Sequence, residues 1–149
     1  MGANIYPQAK KASIFGILSI ALPIPAFCIL SIFLSVVLPI RSDEVYIPIL
    51  ISAAIATTIG LVFGILSKIN VNKGLKAYDE LQKECSEYTT DEKELDKKFA
   101  DKYFNGNLNL TEAYFNKIGT GYVFSRYGIV LNCVFLFIPC LILVLVLLH

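Results

Sequence analysis

The sequence predicts an all-α fold: a three-span α-helical integral membrane protein with a small helical cytoplasmic insert between spans two and three. Of its 149 residues, 56% are hydrophobic, and the mean hydropathy is +0.64, which exceeds the apolar share of a soluble domain. The apolar residues fall in three blocks, each long enough to cross a hydrocarbon core of roughly 30 Å as a helix. We therefore divide the chain into a cytoplasmic tail (1–11), a transmembrane helical hairpin (12–69), a cytoplasmic helical segment (70–126) and a third transmembrane helix (127–149).

The second apolar block, Pro48–Lys68, is rich in small residues at helical spacing. Five of them follow one another at alternating intervals of four and three positions: Ala53, Thr57, Gly60, Gly64 and Ser67. This spacing places them on one stripe of a helix. Lipid tails give helices no hydrophobic reason to associate, whereas small side chains let two backbones approach closely. We interpret the stripe as a helix-packing face; the alternative is a lipid-facing helix that happens to contain Gly and Ala.

The first apolar block, residues 12–38, carries a matching stripe. Its members are Ala12, Gly16, Ser19, Pro23 and Ala26. The short connection at 39–47 makes the two spans an antiparallel hairpin, in which Gly16 faces Gly64 and Ala12 faces Ser67. A slip of one heptad would centre the turn better and remains an alternative. Pro23 and Pro25 remove backbone donors in mid-span and predict a kink there.

The polar segment contains three amphipathic stretches at helical spacing. Thr90 or Asp91 caps the second stretch, and the turn Asn105-Gly106-Asn107 follows it. A capping box of Asn109 and Glu112 begins the third stretch. Gly119 and Gly121 are expected to end that helix. The large apolar side chains are few, so we expect a thin core that leans on the membrane surface or on a partner. We interpret the following residues as partner-facing: Leu75, Tyr78, Leu81, Phe99, Tyr103, Tyr114 and Phe115.

Asn132 is the most polar side chain within the third span. An amide in lipid is costly unless it is hydrogen-bonded, so Asn132 marks an internal contact more often than a transport site. It lies at the same depth as Gly16, Ser19 and Gly64, counted at 1.5 Å per residue. We predict that it points into the bundle and completes the helix-packing set.

Charge and motifs exclude several classes of protein. The formal net charge is +1, from 13 basic and 12 acidic residues, and no basic face suited to nucleic acid occurs. The four cysteines and the terminal His149 have no metal-ligand spacing. Nucleotide-binding and calcium-binding motifs are missing from the sequence. No Asp, Glu, Lys, Arg or His lies inside a span, so we expect no catalytic residue, no cofactor and no enzyme.

Basic residues near the ends of the spans predict the orientation. One side is bordered by Lys10, Lys11, Lys68, Lys73, Lys76, Lys117 and Arg126. The other side has Arg41 alone, next to Asp43 and Glu44. Because short cytoplasmic flanks carry the excess of Lys and Arg, the N-terminus and residues 70–126 are expected in the cytoplasm, with the C-terminus outside.

Glycine-rich strings recur in all three spans. Gly16-Ile17-Leu18-Ser19 and Gly64-Ile65-Leu66-Ser67 share one pattern, and the third span opens with Gly128-Ile129-Val130-Leu131-Asn132. In this respect the chain resembles an uncharacterised family of small Gram-positive multi-pass membrane proteins, whose helices repeat G-I-L-S or G-I-V-L-S strings. The resemblance covers the spans and implies a bacterial cell membrane; the family has no established activity that it could imply.

Three functional hypotheses follow. The leading one is a non-enzymatic accessory or scaffold subunit of a membrane protein assembly. It would be embedded in the lipid bilayer and would dock on a membrane-protein partner, or on copies of itself, through its small-residue helix faces and its cytoplasmic helical segment. The second is a small oligomeric transporter or channel, which would favour ionisable residues within the spans. The third is a membrane immunity or stress protein, which nothing in the sequence separates from the first.

Overall fold

The computed structural model describes residues 5–36, 43–85 and 91–147, and these residues form five helices and no strand. The helices are α1 (Tyr6–Ala21), α2 (Pro23–Val36), α3 (Asp43–Cys85), α4 (Glu92–Phe104) and α5 (Leu108–Leu147). Three helical stretches are long and apolar enough to cross a membrane: Tyr6–Ile32, Ile47–Cys85 and Leu108–Ile142. The prediction of an all-α chain with three helices of sufficient length and hydropathy to cross a membrane is confirmed for the described residues. Residues 37–42 of the first connection lie outside the described residues, and the helix already begins at Asp43, within the predicted turn.

The first span consists of two helical pieces. α1 ends at Ala21 and α2 begins at Pro23, and the N–H of Leu22 still donates to the carbonyl of Leu18 at 3.1 Å. The interruption falls here because Pro23 and Pro25 have no N–H to continue the ladder of hydrogen bonds. The sequence predicted a distortion at these two prolines.

The long helices α3 and α5 run without a break across the boundaries expected at 69/70 and 126/127. The prediction that Gly119 and Gly121 end a helix is wrong, because α5 continues through both. A methyl group at Gly121 would lie 2.8 Å from the carbonyl carbon of Ala12 in α1. Gly121 therefore allows a close helix crossing, and the packing gained outweighs the roughly 1 kcal/mol that glycine costs within a helix.

Side-chain caps define the beginnings of α4 and α5. Asp91 accepts a hydrogen bond from the N–H of Lys93 at 3.0 Å and caps α4; the alternative cap, Thr90, lies outside the described residues. Asn107 accepts from the N–H of Leu110 at 3.1 Å and caps α5. The capping box expected at Asn109 is therefore misplaced by two residues.

The predicted turn between α4 and α5 is present. Asn105 and Gly106 adopt positive φ angles of 52° and 79°, a conformation that asparagine and glycine tolerate better than other residues. The N–H of Gly106 donates to the carbonyl of Ala100 at 3.0 Å, which closes the end of α4. This reversal brings α4 back against α5.

The core of the polar segment includes the beginning of α1. Residues 1–11 were expected to be a tail, but α1 begins at Tyr6, and Ile5 and Ala9 are buried. They pack in one cluster with α3, α4 and α5, and the Tyr6 ring meets the Phe104 ring edge-on at 6.4 Å. The core of the polar segment, which was expected to lean on the membrane surface or on a partner, thus packs against α1 of the same chain.

Candidate functional site

The described residues with the densest polar and close-packed contacts form a junction of α1, α3 and α5. We call it the three-helix junction and define it as Ala12, Gly16, Ser19, Gly60, Gly64, Ser67, Gly121, Gly128 and Asn132. All of these residues are buried. The packing residues predicted from the sequence thus meet here, except for Ala53 and Thr57, which lie further along α3.

Ser67 joins all three helices at one end of the junction. Its hydroxyl donates to the carbonyl of Ala12 in α1 at 2.7 Å and lies 3.2 Å from the carbonyl of Gly121 in α5. A single hydroxyl proton serves both acceptors, so the shorter contact is the principal bond. A methyl group at Gly16 would lie 3.2 Å from the same hydroxyl oxygen, which leaves little room for a side chain there.

Ser19 occupies the equivalent place in α1. Its hydroxyl donates to the carbonyl of Gly16 at 2.6 Å and lies 3.3 Å from the carbonyl of Phe124 in α5. The Ser19 side chain fills the space that a Cβ of Gly128 would occupy. Glycine at 128 therefore lets α5 approach α1 at this serine.

The two repeated strings pair reciprocally. Gly16 lies beside Ser67, and a methyl group at Gly64 would lie 3.6 Å from the Cβ of Ser19. These two pairs lie about one helical turn from the predicted pairing of Gly16 with Gly64 and fall between that register and the heptad slip, whereas the Ser67–Ala12 hydrogen bond agrees with the predicted pairing of Ala12 with Ser67. Each glycine faces a serine of the other helix instead of the other glycine, because α5 lies against both helices. A methyl group added at Gly64 would lie 2.9 Å from Cγ1 of Ile129 in α5.

Asn132 connects the junction from α5. Its side chain is fully buried, and its amide nitrogen donates to the carbonyl of Ser19 at 2.7 Å and to that of Gly128 in its own helix at 2.6 Å. A methyl group at Gly60 would lie 2.6 Å from the amide oxygen. That oxygen has no hydrogen-bond partner among the described residues. Asn132 thus links α5 to α1 by a hydrogen bond and packs against Gly60 of α3.

Ala53 lies in a second, smaller contact, and Thr57 is buried one turn further along α3. Ala53 is 5% exposed and packs with Leu30 of α2 and with Leu50. The buried Thr57 hydroxyl lies within 3.0 Å of the carbonyls of Ala53 and Ala54 in its own helix. Ala53 therefore packs α3 against α2, away from the junction, whereas the Thr57 hydroxyl is satisfied within α3 itself.

The partner-facing interpretation of the aromatic residues is corrected by the structure. Phe99 and Tyr114 are fully buried, Leu81 is 4% exposed, and Tyr78, Tyr103 and Phe115 are half-buried around them. The Phe99 ring lies within 5.7 Å of the rings of Tyr78, Tyr114 and Phe115. These side chains form an intramolecular core because α4 folds back onto α3 and α5. Leu75 alone is exposed, at 37%.

Polar contacts around this aromatic core are few and mostly at the surface. The Tyr78 hydroxyl donates to Asp96 at 3.3 Å, which links α3 to α4. The ammonium of Lys102 lies 2.8 Å from Glu84, and this hydrogen bond raises the pKa of Lys102. Because the pair is exposed, it contributes little to stability. The Tyr114 hydroxyl is buried and has no partner among the described residues.

Three further buried residues of α5 lie on its packing face and were not predicted from the sequence: Gly121, Ser125 and Gly128. With Asn132 they follow the same intervals of four and three that mark the other two stripes, and all four are buried. That spacing was the available signal. It was overlooked because Gly121 lies in the polar segment, where glycine usually indicates the end of a helix.

The junction holds helices together and has little reactive chemistry of its own. Its polar groups are hydroxyls, one amide and main-chain carbonyls, none of which titrates near neutral pH. Among the residues that the structure describes, no group of three His, Cys, Asp or Glu side chains could hold a metal ion. Comparisons with protein-family models, curated protein sequences and solved structures found no match to this chain.

Proposed function

We propose that the protein is a non-enzymatic accessory or scaffold subunit of a membrane protein assembly. The observation that carries the proposal is the continuity of α3 and α5 from the apolar segments into the polar segment. From Ser67 to Cys85, α3 extends by roughly 25 Å at 1.5 Å per residue. The junction and the aromatic core clamp both helices, so the polar end is held rigidly relative to the spans.

The distribution of exposed residues supports docking at the polar end. The small-residue stripes are buried in contacts among helices of the same chain, so they are not available to a partner. At the start of α5, Leu108 and Leu110 are 50% and 43% exposed, and Leu108 lies near Asp96 of α4 and Glu112 of α5. Exposed leucines rimmed by charge are typical of a protein contact. The flanking Lys and Arg residues support a cytoplasmic location for this end with the C-terminus outside, and the resemblance of the glycine-rich strings supports a bacterial cell membrane.

The test is purification of tagged full-length protein in a mild detergent, with its mass and composition measured by light scattering and mass spectrometry. We expect a second protein in fixed stoichiometry. The double variant Leu108→Glu/Leu110→Glu should lose that protein, and the control Leu75→Glu, a change of the same kind on α3, should retain it.

Two results would contradict the proposal. One is a homogeneous homo-oligomer without a second protein, unchanged by the double variant, which would favour an oligomeric channel. The other is equal loss of the second protein in both variants, which would mean that the leucine pair is not the contact.

A further inference from the structure

A groove between α3 and α5 lies where their apolar segments end. It has a volume of about 290 Å³ and is lined by Lys68, Asn72, Tyr122, Ser125, Arg126, Ile129 and Val130. In α3 the two lining residues are four positions apart, and in α5 they recur every three or four positions as Tyr122, then Ser125 with Arg126, then Ile129 with Val130, so each set lies along one side of its helix. The neighbouring contacts of Ser67 with Gly121 and of Gly64 with Ile129 fix the two stripes side by side.

The groove is polar at one end and apolar at the other. Because α3 and α5 are antiparallel, Asn72 and Tyr122 lie at the end nearer the polar segment, and Ile129 and Val130 lie at the end nearer the middle of the spans. Val130 is 60% exposed and Tyr122 is 50% exposed. A ligand that fills this groove must therefore present a polar head and an apolar body.

The charge in the groove is entirely positive. Lys68 and Arg126 are exposed, and neither forms an ion pair with a residue that the structure describes. The sequence has no Asp or Glu between residues 45 and 78 or from 113 to the end. Arginine and lysine with an amide close by form a set of donors suited to a phosphate group.

We propose that this groove binds an anionic glycerophospholipid. Lys68 and Arg126 hold the phosphate, Asn72 offers a further donor, and the first part of an acyl chain lies along Ile129 and Val130. The buried Ser125 hydroxyl already donates to the carbonyl of Tyr122 at 3.0 Å and forms part of the wall. The apolar wall decides between a lipid and a free phosphate, because a soluble anion would leave that wall uncovered.

The experiment is native mass spectrometry of the full-length protein in detergent, titrated separately with phosphatidylglycerol and phosphatidylcholine. We expect one phosphatidylglycerol to be retained and phosphatidylcholine to be retained much less. In Lys68→Gln/Arg126→Gln, affinity for phosphatidylglycerol should fall by about fivefold for each charge removed and on the order of 30-fold for the pair. Lys93→Gln/Lys97→Gln removes the same charge from α4 and should leave binding unchanged.

Three further measurements test the proposal: a check of the fold, the single variants, and competition by inorganic phosphate. Circular dichroism checks the fold, and the single variants, each expected to lose about fivefold, decide the matter if the double variant does not fold. Equal retention of both lipids, or equal loss in the α4 control, would overturn the site. Displacement of the lipid by inorganic phosphate, at an ionic strength matched with chloride, would overturn the lipid as its occupant.

Discussion

Replacing Gly60 with alanine should destabilise the protein, although alanine is the better helix former. The added methyl group would lie 2.6 Å from the amide oxygen of Asn132 and 3.0 Å from its amide carbon. Real Cβ atoms essentially never approach another heavy atom more closely than 3.0 Å, so the first distance is too short and the second lies at that limit. The amide has little freedom to retreat, because its nitrogen is held by the carbonyls of Ser19 and Gly128.

The size of the effect follows from three opposing contributions. Alanine gains up to about 1 kcal/mol of helix propensity over glycine. Overpacking a filled site destabilises by about 1–3 kcal/mol, and displacing Asn132 loses an interhelical hydrogen bond worth ~0.6 kcal/mol on average in membranes. We expect Gly60→Ala to lower the free energy of unfolding by roughly 1–2 kcal/mol.

Gly119 provides the matched control, because no atom lies within 4 Å of a methyl group added there. Gly119→Ala should therefore be neutral or stabilising by up to about 1 kcal/mol. Reversible unfolding in mixed detergent micelles would measure both variants. The double variant Gly60→Ala/Asn132→Ala should be less unstable than the two single effects together predict, because removing the amide makes room for the methyl group.

Equal effects of Gly60→Ala and Gly119→Ala would refute the reasoning. So would strict additivity with Asn132→Ala, because the cost is assigned to that one contact.

Three further predictions concern other parts of the chain. Asn132→Leu should weaken helix packing by ~0.6 kcal/mol, and by at most ~2, without preventing insertion; loss of the protein from the membrane fraction would contradict this. Gly74→Ala should destabilise by up to about 2 kcal/mol once the gain in helix propensity is subtracted, because its methyl group would lie 2.5 Å from Ile118 Cδ1 and 2.8 Å from the buried hydroxyl oxygen of Tyr114; an unchanged or raised melting temperature would contradict this. In a background without native cysteines, a membrane-impermeant thiol reagent applied to intact cells should label a single cysteine placed at Asp43 and should not label one placed at Lys97. The reverse labelling pattern would show that the predicted orientation is wrong.

The sequence predicts the parts of this fold that depend on spacing within one helix. The stripes containing Gly16 and Gly64 face each other near the expected register, and Asn132 points into the bundle, because lipid offers an amide no partner. The break at Pro23 follows from its missing N–H.

The packing contacts between residues far apart in the chain could not be predicted from spacing within one helix. Nothing local to Phe99 or Tyr114 shows that α4 folds back to bury them, so their aromatic stripe was interpreted as a docking face. Gly121 has the local signature of a helix end, and only the approach of Ala12, more than a hundred positions earlier, explains why the helix continues. Tertiary packing overrode local propensity in both cases.

The uninterrupted helix α5 keeps its buried residues in a single helical phase. Tyr114, Ile118, Gly121, Gly128 and Asn132 recur on one face from the aromatic core to the junction. One inserted residue between Gly121 and Tyr114 would rotate one end by about 100° against the other, so the two buried surfaces could not form together. An insertion of seven residues would nearly restore the angle but would shift the ends apart by about 10 Å. The length of this helix is therefore constrained more tightly than the identity of most residues along it.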